Sequence, residues 1–299
     1  MSASDRVHRF LLDERPVRGQ TARLESTWAA LLQHSSYPAP VKNLLGEAVV
    51  ASVLLAATLK FEGTLTLQLQ GNGQIPLLVA QCSHDFGVRG MAQFEGVTDA
   101  AEFRELVGAG NVTVTVEAAD RVSRYQGVVP LAGQSLAESL EEYFERSEQI
   151  PSIVRLTATE QVVAGALVQR LPLAGGEPFD IDPPALEALW ERLRAAVHLM
   201  PGDILLDRSA GIVARAAMAD EDTRLFAAQP VSFECRCSPE RVAALLRGLG
   251  ESEVRAVLAE EGAVTVTCEF CHRPYRFDSI EVERLFASAE MAPGSDAIN

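Results

Sequence analysis

The chain has 299 residues, of which 47% are hydrophobic, 22% charged and 6% aromatic. That is globular composition, long enough for two domains of ordinary size and neither disordered nor collagen-like. Lys and Arg number 26 against 41 Asp and Glu, a formal net charge of −15 that argues against tracking nucleic-acid phosphates, and five cysteines are too few and odd in number for a secreted disulfide scaffold.

Met1–Glu14 mixes charges with short apolar runs and has no signal-peptide core. Arg23–Leu32 predicts a short helix and Val41–Lys60 a longer, largely buried one. The uncharged run inside it, Ala48–Leu59, falls well short of the ~20 residues that span a bilayer. A cytoplasmic location is therefore expected, where cysteines stay reduced and serve as metal ligands or redox-active thiols. After Gly63, Leu65, Leu67 and Leu69 alternate with Thr and Gln as in a half-buried strand. The turn Gly71-Asn72-Gly73 and the run Ile75–Gln81 complete a hairpin. Asn111–Glu117 predicts another strand, Leu136–Arg146 a helix and Ser152–Val168 two more strands. The expected fold class is α+β, an N-terminal mixed core around a largely antiparallel sheet.

Leu171–Pro184 holds four prolines in fourteen residues and reads as a linker. In Pro183–Met200, Leu186, Leu189, Trp190, Leu193 and Val197 recur at spacings of three and four, the stripe of an amphipathic helix. Ile204–Ala228 is alanine-rich and less periodic. It reads as a helical connector on the core, or as half of a helix pair that repacks when the tail changes state. A second break falls at Gln229-Pro230. The chain thus divides into an α+β core over residues 1–175, a linker and helical connector over 176–230, and a small cysteine-bearing C-terminal domain over 231–299.

Four of the five cysteines lie in that last part, as Cys235-Arg236-Cys237 and Cys268-x-x-Cys271. Two short-spaced thiol pairs, one at each end of a small folded unit, suit the four tetrahedral ligands of Zn2+. The segment between them is built to bring them together. Ser238-Pro239 starts a helix that runs to about Gly248. Ser252–Glu261 forms a second helix ended by Gly262, and Ala263–Cys268 a strand. Tyr275–Phe277 returns as a further strand, and Asp278 with Glu281 caps a last helix. Arg236, Arg273 and Arg276 offset part of the −2 charge of a four-thiolate zinc site. His272 is the conceivable alternative ligand and reads as solvent-facing. A disulfide across C-x-C closes a small strained ring and should be easily reduced, which suits a reversible switch. Oxidation also removes the thiolates that a metal needs. Cys82, alone after an apolar strand, reads as a core thiol.

With these residues in view, the sequence resembles the 33-kDa heat-shock protein family of bacterial redox-regulated holdase chaperones. The tail matches in Cys235-x-Cys237, the thirty-residue gap, Cys268-x-x-Cys271, Tyr275 and Phe277. The N-terminal part matches in Arg18-Gly19, Thr27-Trp28, Tyr37-Pro38-x-Pro40-Val41, Leu44-Leu45-Gly46-Glu47, Leu59-Lys60-Phe61-x-Gly63, Gln70-Gly71-x-Gly73 and Arg89-Gly90. The resemblance implies one zinc ion on Cys235, Cys237, Cys268 and Cys271 in the reduced, inactive state. It also implies disulfides Cys235–Cys237 and Cys268–Cys271 in the oxidised state. Loss of structure in the tail and connector would then expose apolar surface to unfolding client proteins, with a homodimer on activation and no need for ATP. No Walker-type phosphate loop occurs in the sequence, in keeping with the last point.

No convergent nucleophile, base or open metal position marks the chain as an enzyme. His8, His34, His84, His198 and His272 are scattered, and Gly71-Asn72-Gly73 lacks the third glycine and helix of a dinucleotide site. The competing readings are a dithiol oxidoreductase centred on Cys268-x-x-Cys271, with the C-x-C pair dispensable, and a nucleic-acid-binding module with an inert structural zinc. The acidic balance weighs against the second.

Overall fold

Strands β1 (Arg6–Leu12) and β2 (Val17–Leu24) open the chain as an antiparallel hairpin. Sequence reading missed both. Arg6, Arg9, Arg18 and Arg23 interrupt their alternation, and the expected helix from Arg23 begins only at Ser26, because Arg23 and Leu24 pair with Ala164 and Val163. The computed structural model describes residues 5–97, 101–120, 123–172, 182–206 and 221–290. These fall into two compact units, Met1–Glu234 and Cys235–Asn299.

The first unit carries two six-stranded sheets rather than the one expected. In the first sheet, β1 and β2 are joined by β8 (Ser152–Ala158), β9 (Val163–Arg170) and β10 (Thr223–Leu225) in the order β10-β1-β2-β9-β8. A short β11 (Gln229–Pro230) also pairs with β1. The second sheet is formed by β3 (Gly63–Gly71), β4 (Leu77–Ser83), β5 (Gly87–Gln93), β6 (Gly110–Ala118), β7 (Arg124–Pro130) and β12 (Ser232–Phe233). Its order is β12-β5-β4-β3-β6-β7, and the β12–β5 pair is parallel. The hairpin expected around Gly71-Asn72-Gly73 is the β3–β4 pair, with Leu67 opposite Ala80.

Between the sheets runs α2 (Ala39–Thr58), preceded by α1 (Ser26–Leu32). By length and composition α2 could cross a membrane, yet its surface is mostly covered by protein. A helix flanked by sheets is apolar all round because it has no solvent face. Close approach is secured by small residues. A Cβ on Gly46 would sit 2.6 Å from Val163, one on Gly165 2.9 Å from Leu54, and one on Gly90 2.9 Å from Val49.

Helix α3 (Phe103–Val107) is short, and α4 (Leu136–Tyr143) continues into a single wider turn, Phe144–Glu148. Helix α5 (Pro183–His198) is the amphipathic segment expected from its stripe. Leu186, Leu189, Trp190, Leu193 and Val197 are buried in one cluster with Phe10, Leu12, Val17, Ile153 and Val168, on the face of the first sheet away from α2. The Arg170 guanidinium lies over the Trp190 ring at 5.6 Å. Most of the expected Leu171–Pro184 linker, residues 173–181, lies outside the described residues, as do 207–220 of the expected Ile204–Ala228 helical connector. At its two ends the connector differs from expectation. α6 (Gly202–Leu206) is a single short helix, while Thr223–Leu225 is a strand paired with β1, whose edge backbone groups need partners.

The second unit places helices Pro239–Leu249 and Glu251–Glu261 before the hairpin of β13 (Val264–Thr267) and β14 (Pro274–Phe277), followed by helix Ser279–Glu290. Val242, Leu246, Val254, Val264, Phe277 and Val282 lie in its small core. The Ser238 hydroxyl accepts from the Arg241 N–H, and Gly262 ends the second helix in the left-handed region. The Asp278 N–H donates to Glu281 and the Glu281 N–H to Asp278, a reciprocal capping box.

Candidate metal centre

The four tail cysteines converge. Residues two apart in extended chain point to the same side, so Cys235 and Cys237 share a face while Arg236 between them is exposed. The other pair is set by a tight turn at the end of β13. The Cys268 N–H donates to the Arg273 carbonyl at 3.1 Å and the His272 N–H to the Cys268 carbonyl at 2.8 Å. His272 takes φ of 52°, the left-handed conformation that lets the chain reverse into β14.

All four sulfurs lie within 4.8 Å of one another. Cys235 is 3.3 Å from Cys237 and 3.8 Å from Cys268, and Cys237 is 3.4 Å from Cys271. A tetrahedral ion with bonds of about 2.3 Å to sulfur needs sulfur–sulfur edges of about 3.8 Å. The donor set therefore fits a metal ion in number, type and spacing, and all four are free thiols. His272, read from sequence as solvent-facing, is half-buried and stands outside the cluster. Arg236, Arg273 and Arg276 are exposed.

The thiols are not equivalent. Burial pushes Cys235 and Cys271 up, Cys271 strongly. Burial also acts on Cys237, but hydrogen bonds from Tyr275 and from the neighbouring thiols outweigh it and bring this thiol down to about 7. The Tyr275 hydroxyl donates to Cys237 Sγ at 3.0 Å, and that bond raises its own pKa to about 12. Sequence reading placed Tyr275 on a strand and missed the contact. The available signal was its place on a return strand four residues after Cys271. Cys82 is wholly buried on β4 and its pKa is pushed well up by burial and by Asp85, as suits an unreactive core thiol.

A family model described as "Hsp33 protein" matches residues 5–278. The chain belongs to the Hsp33 family. Named relatives agree over nearly the full length. A "33 kDa chaperonin" of Methylobacillus flagellatus is 40% identical over 99% of both chains. One of Pseudomonas paraeruginosa is 41% identical over 97% of both, and one of Nitrosococcus oceani 37% identical over 98% of both. The crystal structure of the Thermotoga maritima 33 kDa chaperonin (Hsp33 homolog) superposes with a TM-score of 0.80 at 21% identity, covering 96% of this chain and 99% of that one, and so shares the fold. Membership in Hsp33 makes this a chaperone-family protein with a four-cysteine cluster that could hold a metal ion.

Proposed function

We propose that this chain is an ATP-independent holdase chaperone of a bacterial cytoplasm, held inactive by one Zn2+ ion and switched on by oxidation. Cys235, Cys237, Cys268 and Cys271 would hold the ion, which supplies folding free energy to the small tail unit. Each disulfide forms from two thiolates that give up two electrons. A peroxide or hypohalous acid takes that pair and leaves as water or halide, so both bridges need two equivalents. The proposed bridges are Cys235–Cys237 and Cys268–Cys271. Sulfurs tied up in disulfides no longer ligate, so metal binding and oxidation exclude each other.

The proposed division of labour is a core over 1–175, a connector over 176–230 and a switch domain over 231–299. Loss of tail structure would loosen the segment that precedes it, and the surface then offered to unfolding proteins would be the apolar outer face of the first sheet now covered by α5. Activated chains would pair as homodimers. No catalytic step and no nucleic acid is involved.

The convergence of four thiols inside one 4.8 Å cluster carries this reading, within a unit whose own apolar core is small. The test is to oxidise the reduced, zinc-loaded chain and follow zinc release, free thiols and aggregation of a heat-denatured client together. The three should move in step. Zinc that stays bound, or leaves with no gain in aggregation suppression, would establish an inert structural site instead.

A further inference from the structure

A cavity of about 320 Å³ opens between the two core sheets at the C-terminal end of α2, within the size range of small-molecule sites. Its walls are apolar, with Leu55, Leu59, Phe61, Leu65, Val116 and Phe144 among them. Arg18 enters it from β2. The Arg18 Nε donates to Gln169 Oε1 at 3.0 Å, and Gln169 Nε2 donates to Ser152 Oγ at 3.1 Å, so a wholly buried amide fixes the guanidinium. Among the described residues neither Nη of Arg18 has a hydrogen bond and no carboxylate pairs with it. A half-buried cation without an anion is costly in apolar surroundings. A second cation, the exposed Lys60, also lines the cavity. The lining includes a carboxylate, Glu148, whose Oε1 accepts from the Tyr143 hydroxyl at 2.7 Å and the Tyr125 hydroxyl at 2.9 Å. Two positive groups and one carboxylate thus line an apolar cavity of a chain whose net charge is −15.

We propose that this cavity binds an amphipathic monoanion, a medium-chain aliphatic carboxylate, with its head on Arg18 near Lys60 and its tail along Leu55, Leu65 and Val116. The free edge of a guanidinium matches the two oxygens of a carboxylate. Arg18 and Lys60 against Glu148 give the lining a formal charge of +1, which suits a singly charged head better than a dianionic phosphate ester. This site is independent of the cysteine cluster and belongs to the reduced chain.

Calorimetric titration of the full-length reduced chain with decanoate, decanol and decyltrimethylammonium, each below its micellar concentration, tests the idea. Decanoate should bind one per chain and at least tenfold more tightly than either of the others. Arg18→Gln should weaken decanoate at least tenfold and leave decanol unchanged, and the exposed Lys60→Gln should weaken decanoate several-fold. Equal affinities for the three head groups, a preference for the cation, no saturable binding, or decanoate binding indifferent to both substitutions would each overturn the proposal. Should Arg18→Gln fail to fold, the head-group series and Lys60→Gln decide it alone.

Discussion

Tyr275 and Glu47 show how single side chains are tuned by what surrounds them. The hydroxyl of Tyr275 supports a thiolate at Cys237, the kind of contact that orients a metal ligand from behind. Tyr275→Phe is expected to lower zinc affinity about tenfold, measured by competition with a chromophoric chelator, while the tail keeps its helices. Unchanged affinity would reduce the contact to packing. Glu47 stands half-buried on α2. Burial raises its carboxyl from 4.5 to about 7, and the charge of Arg155 pulls partly the other way. The folded chain therefore holds this proton where the unfolded chain has released it, and stability falls as pH rises from 4.5 to 7. Glu47→Gln should gain stability at pH 8, on the order of 1–3 kcal/mol, with the gain fading by pH 4. Urea midpoints at the two pH values measure it, and an equal effect at both would refute the burial account.

At the scale of elements, α2 depends on glycines that no local pattern demands. Gly46 lies inside a helix, where it is unfavourable by roughly 0.5–1 kcal/mol relative to Ala, yet a Cβ there would run into Val163. Gly46→Ala is expected to destabilise the chain by about 1–3 kcal/mol in denaturant unfolding despite the better helix propensity. A stabilised variant would show that the sheets can move apart at no cost. The segment 229–234 is the second such element. Two residues of it pair with β1 and two with β5. The Val231 N–H donates to the Asp5 carbonyl, and the Thr27 hydroxyl donates to the Val231 carbonyl. The Asp5 carboxylate meanwhile accepts from the N–H groups of Glu25, Ser26 and Thr27. Six residues of strap tie both sheets to the start of the chain immediately before Cys235. Sequence reading saw only a break at Gln229-Pro230, because residues this few carry no period.

At the scale of the whole molecule, the two units have unequal means of support. Met1–Glu234 has two sheets, a buried helix and large apolar clusters. Cys235–Asn299 has a much smaller core, and a unit of that size is marginal enough for a metal to decide whether it stays folded. Changing all four tail cysteines to Ser is expected to speed hydrogen exchange in helices Pro239–Leu249 and Glu251–Glu261 to near unfolded rates, with α2 still protected. Persistent protection in the tail would mean that its apolar core suffices, and the proposed switch would lose its physical basis. In the intact chain, Leu246→Ala should cost the tail about 2–5 kcal/mol, read from the same exchange experiment.

The tail was legible because its signals are local. A serine before a proline, a glycine after a helix, an Asp and Glu three apart and two short-spaced thiol pairs each act over a few residues, and chain connectivity then leaves the four sulfurs little choice but to meet. The alternating strands β3 and β6 and the apolar stripe of α5 were readable for the same reason. What only the tertiary structure decided is non-local. Pairing of β1 with β2, and of β2 with β9, overrode charged residues in their sequences. A second sheet was needed to bury all sides of α2. The bond from Tyr275 to Cys237, and that from Arg18 to Gln169 across 151 residues, join positions that no period or spacing links. Spacing was enough to find four thiols that could hold a metal ion, but only packing shows which thiol Tyr275 supports and that Arg18 enters an apolar cavity.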